Sequence, residues 1–165
     1  MVLSGWSGWR SIARSRIREA LGLWLLAAVV GLPDATHGAA ALPLETGRVV
    51  IDGRVTIDVD VARSPQAQAK GLAGRASLRK GTGMVFPYEA PGRRGFWMKG
   101  MLIPIDIIWI RKGTIVAIDA NLPPPSSDGA LAVYSRSADL VLEVPAGYAA
   151  EMGIRVGHPV TVTYR

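Results

Sequence analysis

Trp97, Lys99 and Asp106 are the residues of this sequence whose types and spacing could form a binding site. The Trp97 ring could stack on a sugar or another planar group, with the Lys99 charge beside it. Asp106 lies in an apolar strand, where a carboxylate is costly to bury unless Lys99 or Arg75 supplies a countercharge or hydrogen bonds compensate it. We therefore expect a ligand-binding groove beside these three residues, edged by Arg75 and Arg93.

The same side chains also have a structural interpretation, in which none of them contacts a ligand. Asp106 would then accept hydrogen bonds from backbone N–H groups of the turn at residues 99–101. Trp97 would belong to the core, as large aromatic residues usually do. We favour this interpretation for both residues. Alternation along the strand places Trp97 on one face and Phe96 and Met98 on the other.

A hydrolase or lyase is the second hypothesis, and it depends on a pair of carboxylates. Asp106 and Glu143 would share the acid and base roles, assisted by Lys99. The sequence contains no recognisable catalytic constellation, so an enzyme is not favoured. The third hypothesis is a structural accessory protein of an envelope assembly that binds no small ligand. A cleft with the two carboxyl groups about 5 to 10 Å apart would favour the enzyme.

No cofactor and no metal ion are expected. The chain has no cysteine and two histidines, which excludes thiolate-bound zinc and iron–sulfur clusters and disfavours a histidine-built site. Met84, Met98 and Met101 could suit copper(I), since thioethers are soft ligands. Methionine is also a common gap-filling residue of cores, and we favour that role.

Five basic residues lie in the two loops that flank residues 84–86, and they could form a positively charged rim. Such a rim would hold an anionic ligand, or contact an anionic membrane or polysaccharide surface. The alternative, which we favour, is a solvated loop surface. The five residues are Arg75, Arg79, Lys80, Arg93 and Arg94.

Residues 1–41 are predicted to be a signal peptide and short leader. Arginines precede an uncharged apolar run at residues 20–32, and small residues follow at 38–41. The run is shorter than the ~20 residues that a membrane-spanning helix needs. We place cleavage after Ala40 or Ala41, which would make the product periplasmic or secreted. An uncleaved N-terminal anchor is the alternative.

The charge of the chain is modestly positive. The full sequence has 19 basic and 13 acidic residues, a net charge of +6. Without the four leader arginines, Glu19 and Asp34, residues 42–165 carry 15 basic and 11 acidic residues, a net charge of +4. No long basic run is present, so no nucleic-acid partner is expected.

Residues 42–165 are predicted to form a single, mainly β domain. Alternation of apolar and polar residues is clearest at Val55–Val61, after an Asp52-Gly53 pair that is typical of a hairpin turn. A short helix is expected between Ser64 and Gly71, and one helical turn at residues 147–152. The other strands are expected at residues 48–51, 84–86, 96–98, 105–110, 114–118, 140–144 and 160–164.

The fold class that follows is a compact antiparallel sandwich or distorted barrel with one or two short helices. Closing the sheet in this way hides the unpaired edges of its outer strands. Pro87 is expected to end the strand at residues 84–86, because proline lacks the N–H group that a central strand needs.

Several short segments occur together in an informative order. They are residues 70–75, 81–86, 96–99, 103–108, 134–135, 141–143 and 153–157, and Phe-Trp-Met-Lys followed by Ile-Pro-Ile-Asp is the most specific part. Over residues 54–164 this set resembles the family known as domain of unknown function 192. The resemblance implies a small, exported or membrane-anchored bacterial or archaeal protein with a compact β fold and no established activity. Ala73, Gly100-Met101 and His158 depart from the residues usual in that family.

Overall fold

The computed structural model describes residues 44–126 and 132–165. The predicted signal peptide at residues 1–41 lies outside the described residues, as does part of the proline-rich loop, so export stays a prediction. Within the described part, no helix is both long enough and apolar enough to cross a membrane.

Strands dominate the described part of the chain, so the predicted mainly β fold is confirmed. The sheet curls into a half-barrel, and two short helices accompany it. The helices are α1 (Pro65–Lys70) and α2 (Tyr148–Glu151). The strands are β1 (Glu45–Ile51), β2 (Val55–Val61), β3 (Thr82–Trp97), β4 (Ile105–Arg111), β5 (Thr114–Leu122), β6 (Val133–Pro145) and β7 (Val160–Tyr164).

The described strands form one sheet in the order β5-β4-β6-β3-β2-β1-β7. Neighbouring strands are antiparallel except β2 and β3, which are parallel. This pair differs from the predicted antiparallel pairing because residues 62–81, which connect the two strands, are long enough to cross the sheet and return in the same direction. The connection contains α1.

Local sequence signals explain the turn before β2 and the helix after it. Asp52 and Gly53 both have positive φ angles, of 51° and 65°, as the predicted hairpin turn requires. Ser64 accepts a hydrogen bond from the Ala67 N–H group at 3.1 Å and so caps α1. Gly71, at a φ of 50°, ends the helix. Both predictions are confirmed.

β3 is longer than the sequence predicts. Pro87 does not end it, because the strand shifts its register against β6 between Pro87 and Gly92 and continues to Trp97. An irregularity of this kind lets a strand accommodate proline without a ladder hydrogen bond. The extension carries Phe96 and Trp97 along the beginning of β6.

The two edges of the sheet meet at one end of the curl. Val160 N donates to Gly113 O at 2.8 Å, and Ile115 N donates to His158 O at 3.0 Å. These bonds connect β5 to β7 and pair backbone groups that an open sheet would leave exposed.

Apolar side chains are buried on both faces of the sheet. One cluster contains residues from each of the strands β1 to β7 and fills the inside of the curl. The second covers the outer face of β3, β4 and β6, and it joins Leu72 and Met101 of the connecting loops with strand residues such as Phe86 and Trp109. The central strand β4 is therefore buried from Ile105 to Ile110, as its apolar sequence predicts.

Candidate functional site

A pocket opens on the outer face of the sheet, between α1, the loop after it and the long strand β3. Its volume is about 200 Å³. Apolar and aromatic side chains form most of the wall, together with two lysines and one carboxyl group. The lining residues are Gln68, Ala69, Lys70, Gly71, Leu72, Phe86, Tyr88, Gly95, Phe96, Trp97, Lys99, Met101 and Glu143.

Glu143 supplies the carboxyl group of this pocket and is unusual because it is an acid buried among apolar side chains. The residue lies on β6, paired with Met84 of β3 and Ile107 of β4, and only 5% of it is exposed. Its Oε2 atom is buried and has no hydrogen-bond partner among the described residues. Burial raises the pKa of Glu143 from 4.5 to about 8, and the positive charge of Arg75 opposes this rise only in part.

The wall beside Glu143 is aromatic because two phenylalanines of β3 converge there. The rings of Phe86 and Phe96 pack edge to face with centroids 4.8 Å apart, and Phe96 packs in the same way on Trp109 at 5.5 Å. Gly71 also lies close to this carboxyl group: a Cβ atom there would lie 3.5 Å from the Phe86 ring and 3.9 Å from Glu143 Oε2. These contacts keep most water away from the carboxyl group.

The pocket is positively charged where it meets solvent. Lys70 and Lys99 are both exposed, and neither forms an ion pair with a carboxylate in the described ranges. Trp97 is 50% exposed, which contradicts the favoured prediction that it belongs to the core. Phe96 and Met98, its neighbours, are buried, as strand alternation predicts. The structure thus brings Trp97 and Lys99 together at one pocket.

Asp106 is not part of this pocket. It is fully buried and accepts three backbone hydrogen bonds, from Asn121 N at 2.8 Å, Gly147 N at 2.9 Å and Ala149 N at 3.0 Å. The favoured structural interpretation therefore holds, but the donors are not those of the turn at residues 99–101. Asp106 instead fastens β5 and the start of α2 to β4, which satisfies a carboxylate that the core could not otherwise hold.

Arg75 and Arg93 do not line the pocket either. Arg75 forms an ion pair with Asp60 on β2, and it acts on Glu143 only through its charge. Arg93 is exposed on β3, opposite Ser137. The predicted groove edged by these two arginines is therefore replaced by a pocket in which Lys70 and Lys99 supply the charge.

The pair of carboxylates required by the hydrolase or lyase hypothesis does not exist. Asp106 is directly opposite Val144, and Glu143 is directly opposite Ile107, in the register of β4 and β6. Because neighbouring positions of a strand face opposite sides of the sheet, the two carboxyl groups point away from each other. An enzyme mechanism at this pocket would have to use Glu143 without Asp106.

The remaining candidate residues, three methionines and several basic residues, are buried in the core or form contacts elsewhere. Met84, Met98 and Met101 are all buried in the apolar cluster of the outer face. Of the five residues of the possible basic rim, Arg75 and Lys80 form ion pairs with Asp60 and Glu151, and the Arg94 guanidinium lies over the Tyr88 ring. No group of three or more possible metal ligands occurs in the parts that the structure describes.

From the sequence, Glu143 was named only in the hydrolase or lyase hypothesis. The pocket residues Leu72, Phe86, Tyr88 and Phe96 were not predicted. A signal for Glu143 was present, since it interrupts an apolar strand just as Asp106 does. The aromatic wall had no comparable signal, because it depends on the uninterrupted course of β3 past Pro87.

Comparison with known proteins now places the chain. Residues 48–162 match the model of DUF192 (domain of unknown function 192), which is described as "Uncharacterized ACR". The chain belongs to the DUF192 family. The resemblance inferred from its motifs is thereby confirmed. No curated protein matches the chain.

Two solved structures share the fold of this DUF192 protein. One is a protein of unknown function from Novosphingobium aromaticivorans DSM 12444, 32% identical, with a TM-score of 0.60 over 71% of this chain and 83% of that one. The other is a Sinorhizobium meliloti 1021 protein that carries the provisional description of a transcription regulator. It is 26% identical, with a TM-score of 0.66 over 74% of this chain and 98% of that one.

Proposed function

We propose that this DUF192 protein is exported and binds a small ligand in the pocket above Glu143. The observation that carries the proposal is Glu143, which lines the pocket and whose buried Oε2 atom has no partner among the described residues. Leaving a buried polar group unpaired costs roughly 1–3 kcal/mol, and a ligand that pairs with it recovers this cost. Such a group at the wall of an apolar pocket is typical of a binding site.

The size of the pocket limits the occupant. The pocket has a volume of about 200 Å³. Pockets that enclose drug-sized ligands are commonly about 300–1,000 Å³. The ligand is therefore a small molecule of about one ring, or a larger molecule that inserts one ring-sized group.

Export is the second part of the proposal, and the leader sequence supports it. The basic segment, the short apolar run and the small residues at 38–41 are typical of a cleaved signal peptide. The ligand would then be met in the cell envelope or outside the cell. Intact-mass measurement of protein recovered from the exported fraction is expected to give a chain that begins near Leu42. A chain that retains residues 1–40 would contradict cleavage.

The binding part can be tested with phenol, a neutral one-ring probe. Titration of the full mature chain is expected to move the NMR signals of the Trp97 indole and the Gly71 amide in a saturable way. Trp97→Ala should weaken phenol binding. Val133→Ala should not, although Val133 lies opposite Trp97 and is similarly exposed, because it does not line the pocket. If neither phenol nor a charged or polar one-ring analogue of it moves these signals, the proposal fails and the accessory-protein hypothesis is favoured.

A further inference from the structure

We propose that the ligand of this pocket is a small aromatic carboxylate whose anionic group faces Lys70 and Lys99 and whose ring carries a hydrogen-bonding substituent directed at Glu143. The inference rests on the binding function proposed above and adds the chemical class of the ligand. Three features of the pocket carry it: the charge at its mouth, the shape of its wall and the chemistry of its base.

The charge at the mouth favours an anion. Lys70 and Lys99 are the exposed ionisable residues of the lining, and both are positively charged at neutral pH. Neither has a carboxylate partner in the ranges 44–126 and 132–165, so their charge is not cancelled within the described protein. An incoming carboxylate would meet two ammonium groups, whereas an incoming cation would be repelled by them.

The wall of the pocket favours a flat ring. Phe86 and Phe96 stand perpendicular to each other at the inner wall, and the half-exposed Trp97 ring lies nearer to solvent. Aromatic groups pack best against other rings in offset or edge-to-face arrangements, and this wall offers rings in both orientations. The Tyr88 face does not offer a cation site, because the Arg94 guanidinium already lies 3.9 Å from its ring centroid.

The base of the pocket favours a neutral hydrogen-bonding group. Glu143 lies among apolar side chains, and burial raises its pKa to about 8, so its carboxyl group is mostly protonated at neutral pH. A protonated carboxyl group both donates and accepts a hydrogen bond, which suits a hydroxyl or carbonyl substituent. It exerts no strong attraction on a cation, since binding one would first require loss of the proton.

Three probes of matched shape test this inference: 4-hydroxybenzoate, 4-hydroxybenzamide and 4-hydroxybenzamidine, which are anionic, neutral and cationic. Their dissociation constants for the mature chain would be measured near pH 6.5 from the NMR signals of Trp97 and Gly71. We expect the benzoate to bind about fivefold more tightly than the amide, a modest gain that is typical of exposed ion pairs. The benzamidine should bind most weakly, and added salt should reduce only the advantage of the benzoate.

Matched variants locate the charge effect. Lys99→Gln should weaken benzoate binding about threefold more than it changes amide binding. Lys112→Gln removes the same charge from the exposed β4–β5 turn, outside the pocket, and should change neither affinity.

The outcomes separate this inference from the proposed function. Equal affinity for the three probes, or tightest binding of the benzamidine, would overturn the ligand class while leaving the pocket a binding site. Binding of phenol without binding of any of the three probes would do the same. If phenol and all three probes leave Trp97 and Gly71 unmoved, the binding function itself fails.

Discussion

Replacing Glu143 by glutamine should change how the stability of the fold depends on pH. Glutamine has nearly the shape of the protonated acid, so the pocket keeps its form, but the side chain no longer titrates. In the wild type, burial raises the pKa of Glu143 from 4.5 to about 8. Between these two pH values the folded protein holds a proton that the unfolded chain has released. The free energy of unfolding therefore decreases as pH rises through this interval, and below and above the interval Glu143 gives it no further pH dependence.

The magnitude follows from the width of the interval. From pH 4.5 to about 8, at about 1.4 kcal/mol per pH unit, the wild type loses roughly 5 kcal/mol of stability through this group. The Gln variant avoids the loss. The two proteins should be similarly stable near pH 4.5, and the variant should become the more stable one as pH approaches 8.

Urea unfolding of both proteins at several pH values between about 5 and 8 measures this difference, since the free energy of unfolding is obtained by linear extrapolation at each pH. Glu89→Gln is the matched control, because it removes a carboxylate of β3 that is exposed and outside the pocket. Its curve should stay parallel to that of the wild type. Parallel curves for the wild type and Glu143→Gln would show that the buried carboxyl group is not held protonated, and the reasoning would be refuted.

Three further substitutions test the surroundings of the pocket. Asp106→Asn removes the acceptor of the Ala149 N–H group and should destabilise the fold by about 2–3 kcal/mol in thermal unfolding. Phenol binding should not change. Weakened phenol binding without a loss of stability would mean that Asp106 belongs to the binding site. Gly83→Ala should be strongly destabilising in the same assay, since its Cβ atom would clash with the Glu143 carbonyl oxygen, and wild-type stability would contradict the close β3–β6 approach. Arg75→Gln removes the charge that lowers the Glu143 pKa and should raise this pKa in a carboxyl NMR titration; an unchanged or lower pKa would contradict this effect of the Arg75 charge.

Short-range sequence signals predicted much of the fold correctly. The Val55–Val61 strand alternates between buried and less buried positions as its residues alternate in polarity, and the Asp52-Gly53 turn and the Ser64 cap occur where expected. Each of these features is decided by residues a few positions apart.

The features that sequence reasoning missed depend on contacts between distant residues. Asp106 and Glu143 have the same local signature, an acid within an apolar strand, yet they have different surroundings. The partners of Asp106 lie 15, 41 and 43 positions away, and they satisfy its carboxylate completely. Glu143 meets no such donors among the described residues, because Gly71 of the crossing connection and the aromatic rings of β3 lie at its face of the sheet instead. Which of the two acids has hydrogen-bond donors is therefore decided by the segments that cover each face of the sheet, which strand patterning does not specify.

A carbon-13 NMR titration of the Glu143 side-chain carboxyl group, with and without phenol, tests the central claim most directly. A buried, unpaired acid in a binding pocket predicts a midpoint near pH 8 and a carboxyl signal that moves in a saturable way when phenol is added near pH 6. A midpoint near 4.5, or a signal that does not respond to phenol, would contradict the account.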